Sequence, residues 1–134
     1  MNATPLLHVS VLVVEDHDDT RELEIFALLD AGALVEGVAS VADALRLIAV
    51  AVPDVVVIDL DLPDEDGYTL LRNIRQLAAA KRVGTIAATA YAQERDRSRA
   101  LTAGFDVFLT KPFAPDLLVA TVTALAARLA GEDG

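Results

Sequence analysis

The segment VVVIDLDLPDEDG, residues 55–67, is the clearest indication of the fold, because an unbroken apolar run ends in an acidic residue and then in a segment marked by proline and glycine. Consecutive β-branched residues predict a strand that is buried on both faces, as in the middle of a parallel sheet. Ligands of open α/β sheets bind outside the carboxyl ends of the strands. Asp59 stands at that end and is therefore a candidate for chemistry, although the capping of a turn would account for it equally well.

The composition predicts one compact domain over residues 1–134, with a core at about residues 8–130 and short polar tails. Apolar residues make up 54% of the chain, which argues against disorder. The formal net charge of −10 argues against direct binding to nucleic acid or to anionic membranes. The sequence has no cysteine, no leader-like segment and no apolar run of membrane-spanning length, so we expect a cytoplasmic protein without disulfides.

Strand and helix patterns alternate five times along the chain. The expected strands cover residues 8–14, 34–39, 55–59, 83–89 and 105–110, and a helix pattern follows each of them. This alternation predicts an α/β fold with a doubly wound, flavodoxin-like parallel sheet of five strands in the order 2-1-3-4-5 and five helices on its two faces.

Particular residues are expected to begin the helices and to face the core. Asp18 or Asp19 is expected to cap the first helix, whose core stripe is predicted to be Leu23, Phe26 and Ala27. Ser40, with Asp43 three residues later, is expected to begin the second helix. The fourth helix, expected over residues 92–103, is the most polar of the set and has little apolar surface to place on the sheet.

Five polar residues follow strands of this predicted sheet. Glu15 and Asp16 come after the first strand, Asp59 ends the third, Thr89 ends the fourth, and Lys111 follows the fifth. The carboxyl ends of parallel strands lie along one edge of a sheet, and the first and third strands are neighbours in the expected order. We therefore expect these side chains to converge on one site, which argues against a turn cap as the only role of the acidic residue in the third strand.

These residues carry a resemblance to the response regulator receiver domain family that covers nearly the whole chain. The motifs are the acidic pair Glu15-Asp16, the segment 59–67, the pair Thr89-Ala90, and the turn Lys111-Pro112-Phe113. Their order and spacing are similar to those of the family. Three further motifs, at residues 66–68, 89–91 and 103–105, most resemble receivers that are attached to hybrid histidine kinases.

The resemblance implies a phosphoacceptor and a metal site. Asp59 would accept the phosphoryl group, and Asp16 would bind Mg²⁺ directly while Glu15 holds the ion through water. The backbone carbonyl of Asp61 would complete the protein ligands, and Mn²⁺ is expected to substitute. Clustered carboxylates repel one another unless a cation intervenes, and Mg²⁺ prefers oxygen ligands, so elementary electrostatics supports the same ion.

The resemblance also implies a switch and a partner. Thr89 and Lys111 would bind phosphoryl oxygens, Phe108 would be the switch aromatic, and Pro112 would follow a cis peptide bond. The phosphoryl donor would be a histidine kinase or a histidine phosphotransfer protein, and the surface around the fourth helix, fifth strand and fifth helix would change. The protein is expected to be a signalling receiver that assists its own phosphorylation and dephosphorylation.

Two alternatives stay open at this point. A phosphatase of the haloacid dehalogenase kind would use Asp59 as the nucleophile and Asp61 as the acid and base, although its nucleophile strand normally comes first in the chain. A degenerate receiver would serve only as a docking module. We also expect a monomer, because the last helix has no basic residue before Arg128 and cannot form the ion pairs of receivers that dimerise.

Overall fold

The structure, a computed structural model, describes residues 4–62, 67–77, 81–91 and 93–133. Its strands are β1 Ser10–Val14, β2 Leu34–Val38, β3 Val55–Asp59, β4 Gly84–Thr89 and β5 Val107–Thr110. Its helices are α1 Asp18–Asp30, α2 Val41–Val50, α3 Gly67–Leu77, α4 Glu94–Ala103 and α5 Pro115–Asp133. None of the helices in the described ranges combines the length and the apolar character of a membrane span.

The five strands form one parallel sheet in the order β2-β1-β3-β4-β5. The predicted fold class, strand order and number of helices are therefore confirmed. β3 lies in the centre, and each of its five residues is buried, as its β-branched sequence predicted. The register pairs Val14 with Ile58 and Asp59 with Ala88, which aligns the carboxyl ends of three strands at one edge.

Two apolar clusters cover the two faces of the sheet. One contains buried residues of α2, α3 and α4, and the other contains buried residues of α1 and α5. Helix α5 buries four apolar side chains at helical spacing against the sheet, and they are Leu118, Val122, Leu125 and Leu129. Helix α4 buries only Ala100 among its described side chains, in agreement with its polar sequence.

The predicted core face of α1 is wrong. Leu23 and Phe26 are 54% and 68% exposed, whereas Glu24 and Leu28 are buried. Ala31, which directly follows the helix, is also buried, so the inward face follows the helical spacing 24, 28, 31. The carboxylate of Glu24 therefore lies on the inward face of α1, and the predicted apolar stripe lines the groove between α1 and α5 instead.

The helix ends agree with the sequence at some positions and differ at others. Ser40 caps α2 by accepting a hydrogen bond from the Asp43 N–H, as predicted. α1 is capped by His17 rather than by an aspartate, through its ring Nδ1 and the Thr20 N–H. α4 begins at Glu94, and the predicted start of this helix at residue 92 lies outside the described residues, as does the predicted turn of residues 64–67 apart from Gly67.

Candidate functional site

Three carboxylates meet at the carboxyl edge of the sheet. Glu15 and Asp16 directly follow β1, Asp59 ends β3, and one ligand atom from each of the three lies within 4.8 Å of the others. Glu15 and Asp59 are only 2% and 3% exposed, whereas Asp16 is exposed. The strand order brings these residues together because β1 and β3 are hydrogen-bonded neighbours.

Lys111 lies on the same cluster from the other side. Its Nζ is 2.5 Å from Oε1 of Glu15 and 3.2 Å from Oδ1 of Asp59. The backbone positions it at the end of β5, where its N–H donates to the Thr89 carbonyl at 2.8 Å and the peptide bond to Pro112 is cis, as expected. Burial alone would lower the pKa of Lys111, but its hydrogen bond to Glu15 and the charges of both acids raise it, so the ammonium is the stable form.

Glu15 and Asp59 share one lysine, and their pKa values are shifted in opposite directions. Burial and the neighbouring Glu15 raise the pKa of Asp59 to about 7. Burial also acts to raise the pKa of Glu15, but hydrogen bonds with Asp59, Lys111 and the His17 N–H lower it overall. Without a further cation, Asp59 is therefore the member of the pair that takes up a proton near neutral pH.

The loop after β1 holds Glu15 in place. The His17 N–H donates to Oε2 of Glu15 at 3.2 Å, and Arg21 donates to its backbone carbonyl at 3.0 Å. Arg21 also pairs with Asp18 at 2.7 Å, which fixes the first turn of α1 against this loop. The position of the buried acid is thus set from both the backbone and the side chain.

Thr89 lies at the same edge, and its hydroxyl makes a side-chain contact that was not predicted. Thr89 is 2% exposed and its Oγ1 donates to Oδ1 of Asp61 at 2.8 Å. The Ala90 N–H donates to the other carboxylate oxygen of Asp61 at 3.0 Å. The receiver resemblance assigned the backbone carbonyl of Asp61 to the metal, and the phosphatase alternative assigned its carboxylate to acid and base chemistry, but neither predicted these contacts. The Asp61 N–H also donates to Oδ1 of Asp59 at 2.8 Å. The side-chain contacts were missed because the sequence does not determine the rotamer of an exposed aspartate.

Phe108 is buried in β5, one strand away from Thr89. The register pairs Phe108 with Ala87 and Thr110 with Thr89. Side chains alternate along a strand, so Phe108 lies on the same face of the sheet as Thr89. Its side chain belongs to the apolar cluster beneath α2, α3 and α4, and the residue is 7% exposed.

Sequence reasoning also missed Glu24, which is 6% exposed on α1. It lines a small cavity of about 170 Å³ together with Lys111, Pro112 and Phe113. Burial raises the pKa of Glu24 to about 7, and repulsion by Glu15 adds to the shift, while Lys111 opposes it. Its place in the helical spacing 24, 28, 31 was the signal that could have identified it.

The donor set of this site fits a hard divalent cation. Glu15, Asp16 and Asp59 offer oxygen ligands, which Mg²⁺ prefers over nitrogen and sulfur. Burial and the neighbouring Glu15 raise the pKa of Asp59 because they disfavour its ionised form, and a bound cation would favour that form. These three residues could therefore hold a metal ion.

Comparisons with known proteins agree with this arrangement. The response regulator receiver domain family matches residues 11–123. An uncharacterized 14.6 kDa protein in the sodA1 3′ region of Leptolyngbya boryana is 40% identical over 117 residues, covering 87% of this chain and 89% of that protein. Transcriptional regulatory protein GltR of Pseudomonas aeruginosa is 37% identical over 119 residues, covering 89% of this chain and 49% of GltR, so this chain spans about half of that regulator.

A solved structure also has the same fold. The CheY-like response regulator receiver domain protein of Methanospirillum hungatei superimposes with a TM-score of 0.85 at 25% identity, covering 93% of this chain and 98% of the other. The family consists of signalling proteins rather than enzymes in the ordinary sense, and the phosphatase and docking-only alternatives are not favoured. The chain belongs to the response regulator receiver domain family, whose members accept phosphoryl groups in two-component signalling and interact with histidine kinases or phosphotransfer proteins.

Proposed function

We propose that Asp59 is the phosphoacceptor of this receiver. The observation that carries the proposal is the convergence of Lys111, Glu15 and Asp16 on this one carboxylate at the end of the central strand. An Asp59 oxygen would attack the phosphorus of a partner phosphohistidine, the P–N bond would break, and the imidazole would keep its electron pair. A carboxylate nucleophile forms an aspartyl phosphate in such a step.

The surrounding residues would act by position and charge. Phosphoryl transfer depends mainly on in-line positioning and on stabilisation of charge on the phosphoryl oxygens. The Lys111 ammonium is already within 3.2 Å of Asp59, and the Thr89 hydroxyl lies at the same edge of the sheet. Both would donate to phosphoryl oxygens. In this way the chain would assist its own phosphorylation and, with water as the nucleophile, its dephosphorylation.

Glu15, Asp16 and Asp59 would hold Mg²⁺ together with the backbone carbonyl of Asp61, and Mn²⁺ would substitute. Glu15 would act through water, because Lys111 already occupies one of its oxygens. When bound, the ion would neutralise charge on the carboxylates and on the phosphoryl oxygens. The closeness of the three carboxylates is the support for this assignment.

Thr89 and Phe108 would transmit the change to the surface formed by α4, β5 and α5. Support comes from their common face of the sheet and from the thin apolar contact of α4, whose only described buried side chain is Ala100. The chain would work as one domain over residues 1–134, as a monomer, without direct contact to nucleic acid. A cytoplasmic location and an attachment to a hybrid histidine kinase stay predictions from the sequence.

The test is Asp59→Asn in a labelling assay with acetyl phosphate and excess Mg²⁺. We expect the wild-type protein to gain one phosphoryl group that hydroxylamine removes, and the variant to gain none. Asp19→Asn removes an equal charge from an exposed position in the first turn of α1 and should leave labelling unchanged. Hydroxylamine-sensitive labelling of Asp59→Asn at the wild-type level would assign the phosphoryl group to another residue.

A further inference from the structure

The carboxylate of Asp61 occupies both hydrogen-bond donors at the end of β4. Oδ1 accepts from the Thr89 hydroxyl at 2.8 Å, and Oδ2 accepts from the Ala90 N–H at 3.0 Å. Each oxygen of one anionic group therefore has its own donor, and charge-assisted hydrogen bonds of this kind are stronger than neutral ones. The contact joins the loop after β3 to the loop after β4.

These donors follow Ala88, which is the residue of β4 that pairs with Asp59 at the carboxyl edge of the sheet. The Asp61 N–H donates to Oδ1 of Asp59 at 2.8 Å, so the side chain that fills the donors begins two residues from that carboxylate. Thr89 is buried, and its hydroxyl also accepts from the Tyr91 N–H at 3.1 Å, which restricts its rotation. A second anionic group on Asp59 would find the same hydroxyl and the same N–H already in use.

We propose that the Asp61 carboxylate is an internal ligand of Thr89 and Ala90 that a phosphoryl group on Asp59 has to displace. The inference rests on the proposed role of Asp59 as phosphoacceptor. Asp61 is exposed, so its side chain can turn into solvent without leaving a buried charge. The aspartate thus lowers the fraction of molecules whose donors are free, and it holds Thr89 toward the site when no phosphoryl group is present.

The expected change in affinity follows from the fraction of molecules in which the Thr89 and Ala90 donors are free. The apparent affinity of a ligand falls by the fraction of molecules in the competent state, so a carboxylate that is bound most of the time weakens a phosphoryl analogue by about three- to tenfold. Asp61→Ala removes the competitor but keeps the backbone carbonyl assigned to the metal. Asp61→Asn keeps the shape and offers only one acceptor oxygen to two donors, so it should give a smaller gain.

Asp61→Ala removes a negative charge, and this alone would favour binding of an anionic phosphoryl analogue even if Asp61 did not compete for the donors. The dependence of affinity on salt concentration separates charge repulsion from competition. Repulsion between exposed charges is largely screened at high ionic strength, because the Debye length falls from about 10 Å at 0.1 M to about 3 Å at 1 M. Release of two hydrogen-bond donors is a local effect and persists. The gain in affinity should therefore remain at high salt if Asp61 competes for the donors.

The experiment titrates beryllofluoride, an analogue of the phosphoryl group, into ¹⁵N-labelled protein with excess Mg²⁺ at low and high salt. The samples are wild type, Asp61→Ala, Asp61→Asn and Glu22→Ala, which removes an exposed acid from α1 as the matched control. We expect a three- to tenfold tighter Kd for Asp61→Ala at both salt concentrations and no change for the control. Before titration, the Ala90 amide proton of Asp61→Ala should move upfield and exchange faster with solvent.

Equal or weaker affinity in Asp61→Ala would overturn the proposal, as would a gain that disappears at high salt or an Ala90 amide that does not respond. Failure of every protein, including wild type, to bind beryllofluoride would instead contradict the proposed function. The proposed competition by the Asp61 carboxylate would then be contradicted as well. Binding by wild type without a gain in the variants would overturn the inference alone. Asp61→Asn decides the question if Asp61→Ala does not fold.

Discussion

Asp106 at the amino end of the sheet and Asp59 at the carboxyl end have pKa values that are shifted in opposite directions. Asp106, just before β5 at the amino end, accepts from Arg82 at 2.6 Å, from Arg128 at 3.2 Å and from the Thr85 N–H at 2.9 Å. Burial would raise the pKa of Asp106, but the hydrogen bonds from Arg82 and from Thr85 outweigh it and lower the pKa. The half-buried carboxylate of Asp106 therefore accepts hydrogen bonds from two guanidinium groups and a backbone N–H.

In the described part of the chain, Asp59 at the carboxyl end has one ion-pair partner, Lys111, and it shares this cation with Glu15. Its pKa is raised to about 7, mainly by burial. Glu24 lies close enough to interact with the same charges, and its pKa is also raised to about 7. Among the residues that the structure describes, the two acids with raised pKa values, Asp59 and Glu24, therefore lie near the edge where a cation and a phosphoryl group are proposed to bind.

Asp106 and Asp59 should also make opposite contributions to the pH dependence of stability. A lowered pKa stabilises the folded state above the unfolded pKa, and that contribution is lost as pH falls through the folded pKa. Asp106 and Asp54 belong to this class, since both have pKa values below the usual range. A raised pKa gives stability that is present below the unfolded pKa and is lost as pH rises toward about 7, which applies to Asp59 and Glu24.

The largest expected effect comes from the same substitution at both ends, made without metal. Asp106→Asn should lower the free energy of unfolding by about 2–3 kcal/mol, because it removes the carboxylate that Arg82 and Arg128 share and turns an amide N–H₂ toward other donors. Asp59→Asn should raise the free energy of unfolding by about 1–2 kcal/mol at pH 8, because it relieves a buried charge. Urea unfolding in the presence of EDTA measures both.

Changes of the same sign for the two asparagine variants would contradict the distinction between the ends. The urea m-value serves as the internal control, since a shift in midpoint without a shift in m reports stability alone. Excess Mg²⁺ should raise the free energy of unfolding of wild type, because the ion binds the folded state. The increase should be smaller for Asp59→Asn, which lacks one proposed ligand.

Glu24→Gln is the next largest expected change. The free energy of unfolding should rise by about 1–3 kcal/mol at pH 8 and change little at pH 4.5, because the raised pKa of Glu24 costs stability only when the carboxyl ionises. Glu22→Gln, at an exposed position on the same helix, is the matched control and should be near neutral. Equal effects of Glu24→Gln at the two pH values would rule out ionisation as the cause.

Much of this arrangement could be predicted from the sequence because it depends on periodicity. The β-branched run before Asp59 and the five alternating patterns determined the strands, and the handedness of crossovers limited the strand order. The convergence of Glu15, Thr89 and Lys111 followed from that order. These predictions required no knowledge of side-chain rotamers.

The parts that could not be predicted depend on side-chain geometry. α1 contains apolar residues on two faces, and only packing decided that Leu28 points inward while Phe26 remains 68% exposed. Glu24 is buried against the expectation for a charged residue. The contacts of the Asp61 carboxylate depend on a rotamer and on the position of the β4 loop, which local sequence does not specify.

The smallest expected effect concerns the lifetime of the phosphoryl group at the carboxyl end. Tyr91 lies two residues after Thr89, and its side chain is a bulky ring on a residue that is 70% exposed. We expect Tyr91→Ala to speed the loss of phosphate from Asp59 several-fold, roughly 1 kcal/mol of barrier, because the ring would obstruct the in-line approach of water. Asp61→Ala should change this rate less.

Tyr91→Phe provides the control, because it keeps the ring and removes only the hydroxyl. All three proteins retain the backbone N–H that donates to the Thr89 hydroxyl, so the contact at 3.1 Å does not distinguish them. Decay of purified phosphoprotein in excess Mg²⁺ should therefore be equal for wild type and Tyr91→Phe and faster for Tyr91→Ala. An unchanged or slower decay of Tyr91→Ala would exclude shielding by the ring, and the lifetime would then depend on the charges around Asp59 rather than on access of water.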